Sequence, residues 1–391
     1  MTPAARLQAA AEIVDEVIVA TRDDGPPADT IVTRYFKQRR YAGSKDRRAV
    51  RELVFRAVRR SAERPASGRA AIVGLADDEP ELSQLFGEAR GPEPRQPVEL
   101  GAAPGVVPEW LTAELSPLVG PEEWGALLDR APLDLRVNAI RGSREQALSQ
   151  FPDARPTPLS PWGIRLPPES RVDDQPAFAS GLVEVQDEGS QLIALACAAR
   201  DGETILDLCA GAGGKSLALA AAAPRARVLA TDSNRGRLSK LPPRASRAGA
   251  VIEPRLLNPP HELAELAELR AGCDLVLVDA PCSGSGTWRR NPEGRWRLTP
   301  ERLERLTAVQ ARLLDIAAEL VRPGGRLVYA VCSLLSREGA GQAAAFLSRH
   351  SSWTRQDPAI GGGRPDGGGR LLTPGHDGTD GFFVAEFRRP C

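Results

Sequence analysis

Apolar residues recur at three- and four-residue spacing through the first part of the chain, most regularly at Val50, Leu53, Val54, Ala57 and Val58. This spacing predicts amphipathic helix between Arg6 and Arg60. Residues 61–108 turn rich in Pro, Gly and acids, with short helical pieces at Glu81 to Phe86 and then at Glu109 to Leu115. They read as the loosely built end of a helical domain that closes near residue 128. Beyond it the period changes. Leu133-Asp134-Leu135-Arg136-Val137 alternates like a strand, Ser143 to Phe151 reads as a capped helix, and Thr157 to Leu166 as turns with short strands. From Gly202 onward strand-length apolar runs (Thr204–Leu208, Val228–Thr231, Leu275–Val278, Arg326–Ala330) alternate with helical stretches at Lys215–Ala222 and Thr299–Leu320, which predicts a parallel, doubly wound α/β sheet. Gly381 to Phe387 is a last strand candidate at the sheet edge, and the glycine-rich Gly361 to Gly369 reads as a surface loop.

The chain has 391 residues, of which 42% are apolar, enough for two or three cores. Fifty-one basic residues balance fifty-one acidic ones, so any nucleic-acid signal has to come from local clustering. One cluster lies between Arg34 and Arg60, where eleven Lys or Arg face two acids, Asp46 and Glu52, with Tyr35, Phe36 and Tyr41 interleaved. Phosphate contacts and a solvated polar face both account for it. Six unevenly spaced cysteines read as free thiols, and three histidines without a C-x-x-C pair leave no zinc cluster to expect. No apolar run follows a basic start and none approaches the ~18–20 residues of a membrane span. A soluble, cytoplasmic monomer with no membrane or DNA partner is the expectation.

Cys209-Ala210-Gly211-Ala212-Gly213-Gly214-Lys215 follows the strand Ile205–Leu208 and opens a helix, so its backbone can approach a ligand at the helix N-terminus. It is no phosphate-cradling P-loop, which would need glycine where Cys209 stands. The next strand ends in Ala230-Thr231-Asp232, where an acid can accept hydrogen bonds from both ribose hydroxyls of a nucleoside. Glycine loop and acid together fit S-adenosylmethionine.

Two cysteines follow later strands, Cys282 in Asp279-Ala280-Pro281-Cys282 and Cys332 in Tyr329-Ala330-Val331-Cys332, at the edge where open α/β sheets bind ligands. The remaining Cys197, Cys209 and Cys273 read as small buried hydrophobes. Carbon 5 of a pyrimidine is too electron-poor to attack a methyl donor until a nucleophile adds at carbon 6. A thiolate suits that step and a second thiol can help undo the adduct. Asp279 can hydrogen-bond the ring N3 and the exocyclic amine of cytosine.

These residues resemble the Sun-type RNA cytosine-5 methyltransferases, RsmB-like 16S ribosomal RNA enzymes among them. The resemblance runs over essentially the whole chain, through Leu135-Arg136-Val137-Asn138, Val185 to Ser190, the glycine loop, Asp279 to Gly286, Arg289-Arg290-Asn291-Pro292, Tyr329 to Leu334 and Asp380 to Phe383. It implies an N-terminal all-α NusB-like domain over 1–128, a small α+β RNA-binding unit over 129–180 and a Rossmann-like methyltransferase domain over 181–391 with its last strand antiparallel. It implies Cys332 as nucleophile, Cys282 as the residue that assists adduct breakdown, and Arg237 near the cofactor's carboxylate. The third cofactor acid of the family falls on the neutral Asn258. Proline usually stands where Ala212 does, threonine where Val331 does, and Glu-Asn where Glu338-Gly339 do. The substrate RNA, ribosomal by this resemblance, is expected at Arg136, Asn138, Arg289, Arg290, Asn291 and Pro292, with Arg295, Arg297, Trp288 and Trp296 beside the extruded base. An RNA-binding ribosome-assembly factor that has kept the fold but lost turnover is the alternative. A DNA cytosine methyltransferase, whose family uses one Pro-Cys thiol, is disfavoured by two thiols.

Overall fold

The computed structural model describes residues 1–391 other than 24 and 169. The chain packs as two compact units. One comprises Met1–Leu115, Gly120–Asp129 and Thr287–Pro300; the other comprises Ser116–Val119, Arg130–Gly286 and Glu301–Cys391.

The first unit is helical. The Arg6–Arg60 pattern resolves into three helices, α1 (Pro3–Arg22), α2 (Ala28–Gln38) and α3 (Ser44–Arg60), and α4 (Gly68–Asp78) follows. Thr2 caps α1 through its side chain and Pro3 opens it, the order that helix N-termini favour. Leu7, Ala10, Val14 and Val17 form one buried stripe on α1, and the α3 stripe is buried at each of its five expected positions. Of the basic cluster, Arg34, Arg39, Arg51, Arg56 and Arg60 pair with Glu16, Glu12, Asp29, Glu79 and Asp78. Lys37, Arg40, Lys45 and Arg48 stay exposed beside Tyr41, which is 75% accessible.

Residues 287–300, expected within the α/β domain from their place in the sequence, belong to this helical unit. Trp296 is buried and its indole N–H donates to the Ser61 carbonyl at 2.9 Å. Arg295 is buried too and donates to the carbonyls of Val58 and Val106, both at 2.6 Å, and of Pro292 at 3.0 Å. Burial, helped by the Arg59 charge, pulls its guanidinium down to about 9. Arg297 donates to Ala20, Gly25 and Pro26. Trp296, Arg295 and Arg297 therefore hold the unit's own backbone and Trp288 is buried within it, which corrects the expectation that they grip RNA. Replacing Arg295 by Met removes the desolvation cost but strands these carbonyls, so Arg295→Met should lower unfolding free energy by about 1–3 kcal/mol in a denaturant titration.

The second unit holds two sheets. Four short strands, β1 (Leu133–Val137), β2 (Arg155–Pro156), β3 (Gly163–Leu166) and β4 (Val183–Val185), pair in the order β2-β3-β1-β4, all antiparallel. The helix Arg144–Gln150 carries the expected cap, a full capping box on Ser143. The large sheet comprises β5 (Thr204–Asp207), β6 (Arg227–Asp232), β7 (Glu253–Leu256), β8 (Cys273–Asp279), β9 (Val321–Val331), β10 (Thr354–Gln356), β11 (Arg364–Asp366), β12 (Gly369–Leu372) and β13 (Phe382–Arg388). Its order is β11-β12-β13-β9-β8-β5-β6-β7, with β10 on β13. Strands β5 to β9 run parallel, and β13 is antiparallel to β9. The chain steps from β5 out to β6 and β7, then returns to place β8 on the other side of β5. That reversal opens a crevice at the carboxyl ends of β5 and β8. The Gly361–Gly369 stretch is not simply a loop, since β11 and β12 form a hairpin through it.

Candidate active site

The strand β5 ends at Asp207 and the glycine loop begins two residues on. Gly213 adopts φ +84° as the cap of the helix Gly214–Ala222, and Gly211 adopts φ +58°. A side chain on Gly213 would run into Leu241, and one on Gly211 into the guanidinium of Arg237, so both positions need glycine for conformation and for space. Asp232, at the end of β6, takes the Gly211 N–H at 2.8 Å on one oxygen and the Asn234 N–H at 2.7 Å on the other. Each oxygen keeps a further lone pair. Bare backbone, a nearly buried acceptor and the Arg237 cation within one loop are the donor and acceptor set that the ribose and amino-acid ends of S-adenosylmethionine require, so the residues fit the cofactor.

Asn258 lies just beyond β7, an edge strand with half-exposed residues that carries no apolar alternation to announce it. Its backbone N–H and its side-chain amide both donate to the Glu265 carboxylate, at 2.8 and 2.7 Å. These bonds hold Glu265 below the usual carboxylate range. Restoring the family's acid here should therefore hurt. Asn258→Asp sets two carboxylates against each other, and calorimetric titration with S-adenosylmethionine should show weaker binding than wild type, not tighter.

The two thiols come together. Cys282 follows β8 and Cys332 follows β9; both are half-buried and their sulfurs stand 3.3 Å apart. The Cys282 thiol is pushed well up, first by its hydrogen bond with Cys332, then by burial and by the charges of Cys332 and Glu338. Of the cysteines expected to be small buried hydrophobes, Cys197 and Cys273 are, whereas Cys209 is half-buried. Burial raises each thiol, aided at Cys209 by Asp207, Asp279 and Asp232. Lys215, expected to serve the cofactor loop, turns its Nζ to Asp279 Oδ2 at 2.7 Å. Burial pulls this ammonium down, but the Asp279 charge and hydrogen bond outweigh it and leave Lys215 above its ordinary value. Beneath the pair, Asp207 is fully buried and pushed up to about 7 by burial, against the hydrogen bond from Ser216.

Five residues that the sequence did not single out knit the two thiol loops together: Ser283, Ser285, Gln310, Ser333 and Glu338. The Ser333 hydroxyl donates to Glu338 at 2.6 Å, and the Ser283 N–H and Gln310 amide donate to the same carboxylate at 2.8 and 2.9 Å. A signal was present in Glu338, which keeps the glutamate of the family's Glu-Asn pair. Gly286 meets Gly381 backbone to backbone, with no room for a side chain on either.

The expected RNA contacts divide. Arg136 and Asn138 are buried: Arg136 donates to Gln186 at 2.7 Å, and Asn138 donates to the Gly181 and Ala248 carbonyls. Both lie inside the protein beside the small sheet, Asn138 with its amide engaged and Arg136 bonded through Nε while its Nη1 has no partner. Arg289 and Pro292 are buried as well, within the helical unit. Arg290 is half-buried and Asn291 exposed.

This parallel sheet with its antiparallel β13, glycine loop and acid-tipped β6 has the fold of an S-adenosylmethionine-dependent methyltransferase. The crystal structure of PH0851 superposes with TM-score 0.74 at 21% identity, covering 100% of this chain and 99% of that one. NSun6 from Pyrococcus horikoshii with SFG superposes with TM-score 0.61 at 18% identity, over 68% of this chain and 93% of that one. Residues 194–388 match the family described as 16S rRNA methyltransferase RsmB/F. Ribosomal RNA small subunit methyltransferase B of Salmonella arizonae is 36% identical over 289 residues, which cover 71% of this chain and 65% of that protein. The protein of the same name from Salmonella typhi is 36% identical over 287 residues with the same coverage. The chain belongs to the RsmB/F family. The alignment spans just under two thirds of the length of these relatives, 65%.

Proposed function

We propose that the protein methylates carbon 5 of a cytosine in RNA of the small ribosomal subunit through a covalent adduct on Cys332. The observation that carries this reading is the pair of thiols 3.3 Å apart on the rim that also holds Lys215 and Asp279. Cys282, whose thiol is pushed up, keeps its proton beside the Cys332 sulfur, and Cys332 is the sulfur that attacks. As the Cys332 sulfur bonds to carbon 6, the ring electron pair moves toward carbon 5. Asp279 takes a hydrogen bond from the exocyclic amine while the Lys215 ammonium holds that carboxylate and stabilises the displaced charge. Bound S-adenosylmethionine supplies the electrophilic methyl group. Once Cys332 sulfur is bonded to carbon, its charge no longer opposes ionisation of Cys282. Cys282 then gives its proton to solvent, the resulting thiolate takes the carbon 5 proton, the C5–C6 double bond re-forms, and Cys332 leaves as thiolate.

RNA of this size is met by phosphate and base contacts. Support comes from the exposed Lys37, Arg40, Lys45, Arg48 and Tyr41 of the helical unit, and from Arg290 and Asn291. Arg289 and Pro292 act as supports inside the helical unit, and Arg136 and Asn138 inside the second unit. The base must leave its stack to reach a thiol on the crevice rim. Bisulfite sequencing of 16S ribosomal RNA from cells with and without the protein tests the reading; loss of one protected cytosine is the expected result, and unchanged protection everywhere rejects it. Asn258 in the place of a family acid favours a second reading, an RNA-binding assembly factor without turnover. It requires cofactor binding with no methyl transfer to any RNA.

A further inference from the structure

The reaction needs two thiols at a fixed separation, yet Cys282 and Cys332 sit on separate loops after separate strands, and neither loop is held by helix or sheet hydrogen bonding at the cysteine itself. The Gly286 N–H donates to the Cys332 carbonyl at 3.1 Å, and Glu338 joins the loops on the side of Ser283 and Ser333. It lies six residues beyond Cys332, is fully inaccessible, and directs its carboxylate back between the loops. One oxygen, Oε1, takes the N–H of Ser283, next to Cys282, at 2.8 Å and the Gln310 amide at 2.9 Å. The other, Oε2, takes the hydroxyl of Ser333, next to Cys332, at 2.6 Å. The Gln310 amide also donates to the Pro281 carbonyl at 2.9 Å, so the residue before Cys282 is tied to the same centre. Ser283, Ser285 and Ser333 close a triangle of hydroxyls at 3.1–3.2 Å, and Ser285 accepts the Leu334 N–H at 2.8 Å. Tyr329 fixes the carboxylate's own backbone by donating to the Glu338 carbonyl at 2.6 Å.

We propose that Glu338 is a positioning residue for the dithiol: its carboxylate clamps the Ser283 and Ser333 loops and thereby sets the distance between the Cys282 and Cys332 sulfurs at which adduct release can occur. This rests on the methyltransferase reading above for its purpose, but not for its geometry. A buried carboxylate that accepts one donor from each loop and a third from Gln310 on the helix Pro300–Leu320 is more constraining than either loop's own turn, since releasing any one donor leaves a buried polar atom unpaired. The negative charge of Glu338 also faces Cys282 and Tyr329 and raises both.

The test separates geometry from activity by using phenylarsonous acid, which condenses with two thiols to a cyclic dithioarsenite and releases two waters, and therefore binds tightly only where the sulfurs are correctly spaced. Capture is read as protection of Cys282 and Cys332 from alkylation, by mass spectrometry. In Glu338→Ala, arsenical affinity should fall about ten- to a hundredfold, the size expected when a supporting hydrogen bond behind a liganding group is lost. Alkylation of Cys332 alone should stay within about twofold, since that reaction needs one thiol and not a spacing. Glu338→Gln keeps two acceptor bonds through its amide oxygen and should retain most of the affinity, whereas Ser333→Ala, which removes the shortest bond to the carboxylate, should lose affinity as Glu338→Ala does. The RNA readout should follow, with Glu338→Ala accumulating protein–RNA adduct as Cys282→Ala does. Wild-type arsenical affinity in a folded Glu338→Ala overturns the proposal; if that variant does not fold, wild-type affinity in Ser333→Ala overturns it instead. Absence of adduct in every variant, Cys282→Ala included, counts against the methyltransferase reading while the arsenical result still judges Glu338.

Discussion

Cys332→Ala should abolish methylation of RNA, whereas Cys282→Ala should yield a protein–RNA species that survives denaturing electrophoresis. The two substitutions remove one sulfur each from a pair 3.3 Å apart, so burial, charge and size change almost equally. Their outcomes differ because the sulfurs have different work. Without Cys332 no bond to carbon 6 forms, carbon 5 stays electron-poor, and loss of a nucleophile costs at least about 10⁴-fold in rate. Without Cys282 the adduct forms and accepts the methyl group, but the carbon 5 proton has no nearby base, so the enzyme stays bonded to its product. Single-turnover assays with labelled S-adenosylmethionine should find label in the trapped species of Cys282→Ala. A clean, released product from that variant contradicts the role given to Cys282. Methylation by Cys332→Ala at the wild-type rate removes the mechanism altogether.

Much of this site could be read before any coordinates, and physics explains which parts. Parallel strands buried on both faces are continuous apolar runs, so β5, β6, β8 and β9 stood out and carried Asp207, Asp232, Asp279 and Cys332 to the correct edge. Strand β7 did not, because Glu253-Pro254-Arg255 sits at the exposed sheet edge and shows no alternation. Charge was read less well than apolarity. Arginine near an aromatic looks the same in sequence whether it faces phosphate or a buried carbonyl, and Arg295 and Trp296 take the second course. Lys215 follows from its glycine loop as a cofactor residue, yet its four-carbon stem reaches past the loop to Asp279. The serines and Glu338 escaped notice because each is ordinary alone, and their meaning is the convergence of Ser283, Ser333 and Gln310 on one carboxylate.

Relative to Asp207→Asn, wild type should lose stability as pH rises from about 4 to about 7. Asp207 is fully buried under the Lys215–Asp279 pair; Oδ2 takes the Ser216 hydroxyl at 2.6 Å and Oδ1 has no hydrogen-bond partner. Burial is the largest cause of its rise to about 7, and the Asp279 and Asp232 charges add to it while Ser216 and Lys215 oppose. The sign follows from proton counting. Below its unfolded value of about 3.9 both states carry the proton, and stability is at its fullest. Between there and 7 the unfolded chain has released it while the native state still binds it, so each unit of pH costs up to about 1.4 kcal/mol and the whole window on the order of 4 kcal/mol. Asparagine has the same shape, still accepts from Ser216 and has nothing to release. Urea titrations at intervals across this window should show the stability of wild type falling relative to that of Asp207→Asn as pH rises. Parallel slopes for the two proteins mean that Asp207 is ionised in the native state, with a donor to Oδ1 supplied from elsewhere.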